Sequence, residues 1–491
     1  MRRFIEPERD QILMFTQINL NDFAPDGSPV RIIDEFVNRL DTSEIEKEYN
    51  LESVTGRNPI HPKTKLKVAL LALHESRFSL RKMEDDTSSN TKFRWLTGNK
   101  TIDHSTMGKF LASNAKEITE LMLQVILISK EYDLMKFEIL NIDTVKIRAN
   151  ASYKQFRNID GLDKDINKIR ENILELIKNA CDNKNSNEDN DKEIKKNKAR
   201  LLKLEAAKEE LSKRIDEAKK NDPDEKSGKN PENEMKINIT DHDCEIMQQG
   251  NGEKNSAYAF TLSVDHATNI ITNQMTQQTF NDTRALIPSI LQSRENTGDV
   301  HDLVNADSGF GSLSNLEWLS ENKQKALIPD RRLEVEKYGK TKKGKYDRSG
   351  FIYNENGTYL CPEGHTLSKT GESTAKDGRL KYIFSNKSAC IDCSACEECT
   401  KSDYRKVTRD HNAVVSEKMR ELFSIEENQE RYKKRAHASE SPHGQIKHNL
   451  NFRILHRRGK VKVTMEMSLL LILHNIMKIG NFRYASPLAA I

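Results

Sequence analysis

The apolar positions of this chain fall into three rhythms. In residues 1 to about 130 they recur at helical spacing. Val30, Ile33, Phe36, Val37 and Leu40 follow Pro29, a residue suited to a first helical turn. Leu66, Leu70 and Leu73 mark a second helix, and Ile118, Leu121, Leu123 and Ile126 a longer one. Asp103 or Ser105 is placed to cap another helix between them. From Phe137 the period changes: Phe137 to Arg148 is rich in β-branched residues and reads as a central strand. Ala257–Val264 and Asn269–Met275 read as a hairpin turning near His266. A helix from about Asp282 to Gln292, a strand at Asp302–Ala306, a helix at Leu313–Asn322 and a strand at Ala326–Ile328 follow.

The third rhythm is heptad-like. Ile166, Ile169, Ile173 and Leu176 form one arm and Leu201, Leu204, Leu211, Ile215 and Ala218 the other, with a polar break over Asp182–Asp191. This predicts an antiparallel coiled-coil hairpin, a spacer or partner-binding arm, set into the first crossover of an α/β core and ending in the tether Asn221–Pro231. A cysteine-rich stretch interrupts the chain next, and helices resume from about Asn412. The division expected is a helical, DNA-binding part (1–130), the first part of the core (131–158), the hairpin and linker (159–235), the second part of the core (236–330), the cysteine-rich insertion (331–410) and a C-terminal helical part of the core (411–491).

Composition narrows the class. A chain of 491 residues is long enough for several domains. With 36% hydrophobic and 31% charged residues it is polar, yet too rich in Leu, Ile and Phe for wholesale disorder. The longest apolar stretch, Leu469–Met477, contains His474 and Asn475 and falls short of the ~20 residues of a membrane span. The first twenty residues mix acids with bases and lack an apolar signal core, so a cytoplasmic protein is expected, nucleoid-associated if it binds DNA. A net charge of +4 names no partner, but its distribution does. From Arg431 to Lys462 there are ten Lys/Arg and four His against one acid, Glu440, a pattern suited to a phosphate-binding surface. Arg81, Lys82, Lys92, Arg94 and Trp95 lie in the N-terminal helical part, which suits either DNA binding or a dimerisation and packing domain.

Three acids stand where a mixed sheet can gather them: Asp143 inside the first strand, Asp307 just after a later one and followed by Ser308-Gly309, and Glu440. Converging carboxylates on rigid elements can hold two hard cations for phosphoryl transfer. Glu440 is expected on a helix over Ala436–Asn449 with Pro442 in its first turn, which would put Lys447, seven residues on, on the same face. Cys361, Cys390, Cys393, Cys396 and Cys399 supply five thiols for a four-ligand site, structural zinc or an iron–sulfur cluster. Cys181 and Cys244 stand alone and are expected to be ordinary thiols.

Taken together the motifs carry a resemblance. Asp22-Phe-Ala-Pro25, Gly56-Arg57, His61-Pro62, Ser79-Leu-Arg-Lys82, Phe93-Arg-Trp-Leu96 and Asp103-His-Ser-Thr106 come first. Asp143-Thr-Val-Lys-Ile-Arg-Ala-Asn-Ala-Ser152, Thr240-Asp-His-Asp243 and Ala306-Asp-Ser-Gly-Phe310 follow, and Glu440-Ser-Pro-His-Gly-Gln-Ile-Lys447, Arg457-Arg-Gly459 and His474-Asn475 close the series. In order and number they resemble bacterial insertion-sequence transposases of the DDE class, most closely the family numbered eleven-eighty-two. The resemblance implies an α/β ribonuclease-H-like mixed-sheet core with an all-α N-terminal domain, in which Asp143, Asp307 and Glu440 hold two Mg²⁺ or Mn²⁺ ions. It implies phosphate or DNA contacts from Tyr432, Arg435 and Lys447, to which the basic strip adds Arg457 and Arg458. Arg435 precedes Glu440 with four intervening residues where the related signature has three, and Thr144 follows Asp143 where many relatives have glycine. Among the thiols, the resemblance points to Cys361, Cys390, Cys393 and Cys399 as zinc ligands, leaving Cys396 spare.

The implied activity is DNA transposition of a mobile element: binding of terminal inverted repeats in double-stranded DNA, metal-dependent strand cleavage and strand transfer, by a homodimer or larger assembly on DNA. A domesticated DNA-binding regulator, or a ribonuclease-H-like nuclease that cuts without joining, are the other readings the same residues allow.

Overall fold

The computed structural model describes residues 19–49, 58–182, 188–221, 231–249, 252–277, 282–330, 344–375 and 378–485. Gly56-Arg57, most of the Asn221–Pro231 tether, the stretch 331–343, and the side chains of Cys181 and Glu440 lie outside the described residues. The chain forms two compact units. The first comprises residues 1–221, 230–305 and 433–491, and the second 222–229 and 306–432.

The first unit begins with helices α1 (Pro29–Arg39), α2 (Ser43–Glu46), α3 (Pro62–His74), α4 (Leu80–Ser89), α5 (Thr91–Thr97), α6 (His104–Ser113) and α7 (Ala115–Glu131). Their starts are legible in side chains. Pro29 and Pro62 occupy first turns, where a missing N–H costs nothing. Asp103 caps α6 by accepting from Ser105 N at 2.8 Å and Thr106 N at 3.1 Å, so of the two candidate caps Asp103 is the one used. Gly98, in the left-handed region, ends α5.

The central strand β1 (Ile139–Arg148) pairs antiparallel with β5 (Lys254–Asp265), with Asp143 opposite Leu262 and Thr144 opposite Thr261. Along the other side of β5 run β4 (Glu245–Gln248) and β6 (Ile271–Gln277); β7 (Leu303–Ala306) neighbours β1. The short pair β2 (Phe156–Arg157) and β3 (Ile237–Asn238) stands outside this sheet. Between them the chain makes two long helices, α8 (Ile159–Asp182) and α9 (Glu188–Asn221), then the short α10 (Pro231–Glu234). Leu162, Ile166, Ile169 and Ile173 of α8 share one apolar cluster with Leu204, Ala207, Leu211 and Ile215 of α9, and Asp163–Lys208 and Arg170–Glu205 flank it at 2.5 and 2.8 Å. Helix α11 (Asp282–Thr297) packs on β5 and β6 through Ala285, Leu286 and Ile290.

The C-terminal helix Lys460–Ala485 organises this unit. By length and composition it could cross a membrane, but 89% of its apolar window is buried inside the fold. It is far longer than the apolar run Leu469–Met477 because the helix continues through polar residues at both ends. It packs against α7, α1, α3 and β6, so the N-terminal helices and the sheet share one apolar cluster extending from Leu20 to Ile479. At Gly480 a Cβ would lie 2.4 Å from Ile32, so only glycine permits this approach to α1. Its N-terminus is held by the Thr240–Asp243 motif: Asp241 accepts from Gly459 N at 3.1 Å and from the Tyr258 hydroxyl at 2.8 Å, and Asp243 accepts from Lys460 N at 2.8 Å.

In the second unit Asp307 opens a single 3₁₀ turn, Ser308–Phe310, followed by α12 (Leu313–Glu321) and the short strand β8 (Lys325–Leu327). A five-stranded antiparallel sheet then follows in the order β13 (Val407–Asp410), β12 (Leu380–Ser385), β11 (Thr366–Thr374), β10 (Tyr359–Leu360), β9 (Ile352–Tyr353). Two short helices, Lys387–Ile391 and Cys396–Cys399, lie between β12 and β13, and the helix Ala413–Ser424 comes after them.

The helix carrying Glu440 differs from expectation. It runs Glu426–Gly444, so Pro442 sits in its last turn and not its first, and a π-helical turn, Gln445–Asn449, continues it. Proline there removes one intrahelical donor, and the chain widens immediately afterwards. Lys447 lies in that wide turn, so the two-turn, same-face relation to Glu440 expected from a regular 3.6-residue helix does not apply.

Candidate functional site

Asp143 is the centre of the site in the first unit. It lies near the middle of β1, a quarter exposed, and one carboxylate oxygen takes the neighbouring Thr144 N–H at 2.9 Å. Three cationic or ring groups from the C-terminal segment face it. Arg435 comes within 3.5 Å of one oxygen, and His443 Nδ1 within 3.7 Å of the other. Lys447 is half-buried; burial lowers its pKa first of all, with the Asp143 charge acting against that and Lys146 acting with it.

Around Asp143 the polar side chains interlock. Thr144 and Thr261 hydroxyls lie 3.0 Å apart across the β1–β5 pair, and Gln277 donates to Thr261 at 2.6 Å. Asp282, the first residue of α11, has its pKa raised mainly by burial and further by Asp143, with Thr144, Lys146 and Gln277 pulling the other way. Its Oδ1 is buried without a hydrogen-bond partner among the described residues. Sequence reading singled out neither Asp282, Lys146 nor His443 as a site residue. Lys146 lies in the Asp143–Ser152 motif and His443 in the basic strip, but only register and the path of the C-terminal segment bring them and Asp282 to the site.

The π turn is fixed from behind. His474 is fully buried; its Nε2 donates to the Asn269 carbonyl at 2.8 Å and its Nδ1 meets the Gln445 side chain at 2.6 Å. Burial brings its pKa down to about 4, so the ring is neutral near neutral pH. Asn475 pairs with both backbone groups of Ile271, at 3.0 and 2.9 Å. The His474-Asn475 motif thus ties the C-terminal helix to the turn that carries Lys447.

The other expected site residues are placed as follows. Glu440 lies on the helix Glu426–Gly444, which also carries Tyr432, Arg435 and His443. Asp307 belongs to the second unit, where Oδ1 accepts from Gly309 N at 2.8 Å. Tyr432, also of the second unit, donates to the Ala306 carbonyl at 3.3 Å and stacks edge-on with Phe423. Arg458 donates to the Asn150 carbonyl at 2.8 Å and its side-chain oxygen at 3.3 Å. Arg457 is half-buried, with its backbone N–H on Glu466 at 3.0 Å.

In the second unit, Cys361, Cys390, Cys393, Cys396 and Cys399 line one small cavity of about 30 Å³ together with Phe351 and Arg405, roughly the room one ion or water needs. The turn Cys361–His365 folds back so that His365 N–H donates to Cys361 Sγ at 3.3 Å. Cys244 lies elsewhere, buried in the first unit, its thiol pushed up to about 12 by burial.

Two family profiles match parts of the chain. A profile described as a transposase DDE domain matches residues 360–480, a span that includes the thiols, Glu440 and Lys447. A second, described as a transposase domain, matches residues 18–113. Both matched spans are transposase domains, and together they indicate an insertion-sequence DDE transposase. Such enzymes cleave DNA and transfer strands with divalent metal ions. The mixed helix-and-sheet architecture of the transposase is compatible with a ribonuclease-H-like core. Asp143 and Asp307 fall in the stretch between the two matched spans. No curated protein and no solved structure matches the chain.

Proposed function

We propose that Asp143, Asp307 and Glu440 together hold two Mg²⁺ ions, and that the transposase uses them to cut each element end and join the freed 3′-hydroxyl to target DNA. What carries this reading is the surroundings of Asp143: a carboxylate on a central strand, met by Arg435, His443 and a half-buried Lys447 from the segment that also bears Glu440. The donors fit hard cations, being carboxylate oxygens on or beside regular elements. When bound, the ions align the attacking oxygen and stabilise the leaving one. Arg435 and Lys447 hold backbone phosphates, and Tyr432 supports the same strand.

The helical N-terminal part and the basic strip through Arg457 and Arg458 bind the terminal inverted repeats, and the protein works at the nucleoid as a dimer or larger assembly joined through the α8–α9 hairpin. In the second unit Cys361, Cys390, Cys393 and Cys399 hold a structural Zn²⁺, with Cys396 spare. The size of the cavity and the thiol donor set support that assignment.

The test is to incubate the purified protein with the DNA flanking its own gene and Mg²⁺ or Mn²⁺, and to map nicks to the nucleotide. Asp143→Ala and Asp307→Ala are expected to cut at least about 10³-fold more slowly while still binding the ends. Undiminished cutting by both variants would remove the ligand assignment.

A further inference from the structure

Next to Asp143 the surface opens into a hollow of about 410 Å³, lined by Thr144, Lys146, Gln248, Gln249 and Lys447. Two of these carry ammonium groups and none is an acid. Lys146 leans toward the β4–β5 hairpin, donating to the Gln248 carbonyl at 3.4 Å. Lys447 approaches from the π turn and has given up much of its hydration. Asp143 acts on Lys447 and Asp282 on Lys146, and an anion entering the hollow would meet both ammonium groups from its open side.

The hairpin side of the hollow carries two side-chain amides. Gln249 Nε2 is buried and has no hydrogen-bond partner among the described residues. Gln248 reaches only a long contact, 3.4 Å, to the Gly252 carbonyl. A buried side-chain amide without an acceptor is unfavourable, and a base edge entering the hollow beside Gln249 would supply one. A primary amide offers one donor and one acceptor side by side, which matches the N6/N7 edge of adenine better than any other base edge.

Resting on the transposase reading of the Asp143 site, we infer that this hollow seats one nucleotide of the DNA strand, its phosphate between Lys146 and Lys447 and its base edge against Gln249. The subsite is built by β1, the β4–β5 hairpin and the π turn. It gives the enzyme a base preference beside the reacting phosphate that the three acids cannot supply, since metal ligands and phosphate contacts carry no sequence information.

The experiment measures binding of a duplex from the gene's own flank by fluorescence anisotropy, in Ca²⁺ so that binding is read without cutting. Single methylphosphonates are placed at each position of one strand in turn. The wild-type protein is expected to lose about tenfold in affinity at one or two adjacent positions. Lys146→Gln is expected to bind about tenfold more weakly, to lower the slope of log affinity against log salt by about one, and to lose clearly less affinity than the wild type to the methylphosphonate at those same positions. Gln249→Leu is expected to keep the phosphate map and lose the preference for adenine at the adjoining base. A Lys146→Gln variant with the wild-type phosphate map, or a Gln249→Leu variant with unchanged base preference, overturns the subsite. Nick mapping in Mn²⁺ with wild type and Asp143→Ala reads the metal-site reading separately. Cutting that depends on Asp143 alongside an unaltered phosphate map sinks only the subsite, and an altered map without such cutting sinks only the metal site.

Discussion

In the first unit, Leu, Ile, Val, Met and Phe side chains from α1 through the C-terminal helix form one continuous buried cluster, whereas the β9–β13 sheet of the second encloses Phe351, Tyr359, Leu367, Phe384 and Val407, with Cys361 and Cys399 packed against them. The first is a core of ordinary protein size. The second is too small to be held by apolar burial alone, and its five thiols gather where more hydrophobic side chains would otherwise be needed. Chains that cannot bury enough apolar surface are commonly held by a metal, whose binding energy is then folding energy. The contrast is therefore between a unit stabilised by packing and one in which the proposed coordination would supply what packing does not.

The largest effect should come from breaking the coordination. Chelator treatment, or Cys393→Ser, is expected to abolish hydrogen-exchange protection over β9–β13 while leaving α1–α7 and the C-terminal helix protected. The loss is on the order of 10 kcal/mol of local folding energy. Unchanged protection in both preparations would mean that the thiols do not bind a structural metal. The packed unit should respond to a cavity. Leu470 is fully buried, and Leu470→Ala should cost about 3 kcal/mol, with the N-terminal helices and the C-terminal helix losing exchange protection together.

A third effect, of similar size, is acid sensitivity of the first unit. His474 titrates near 4 when folded against 6.5 when free, so between those values the unfolded chain binds a proton that the folded chain refuses. Its contribution to stability is full above pH 6.5 and declines as pH falls toward 4, by about 3 kcal/mol in all. Denaturant titrations at pH 7 and pH 5 should show this for the native chain, and His474→Gln should remove its share of the difference. The smallest expected change is Asp103→Ala, which removes the cap of α6 and should cost about 1 kcal/mol, read as a small fall in Tm.

Much of the scaffold could be read from spacing because its determinants are local. Pro29 starts α1, Asp103 caps α6, and the run of β-branched residues after Phe137 becomes β1. The turn near His266 falls between β5 and β6 as expected. What could not be read depends on distant pairings. Nothing in the sequence of Asp282 tells that it meets Thr144, and nothing around Lys146 tells that Lys447 will face the same hollow. The widened turn after Pro442 shows the limit most clearly. A seven-residue interval implies a shared face only while the helix keeps its regular pitch, and here it does not. The basic strip was visible as charge, yet its members diverge: Arg435 turns to Asp143, while Arg458 is bound to Asn150.

The position of the helix Lys460–Ala485 also bears on synthesis. Because it fills the middle of the N-terminal helices and covers the sheet, the first 450 or so residues leave the ribosome with their main apolar surface uncovered. A message cut short before this helix would yield a chain that clumps or is degraded, and not a truncated DNA binder competing with the whole enzyme.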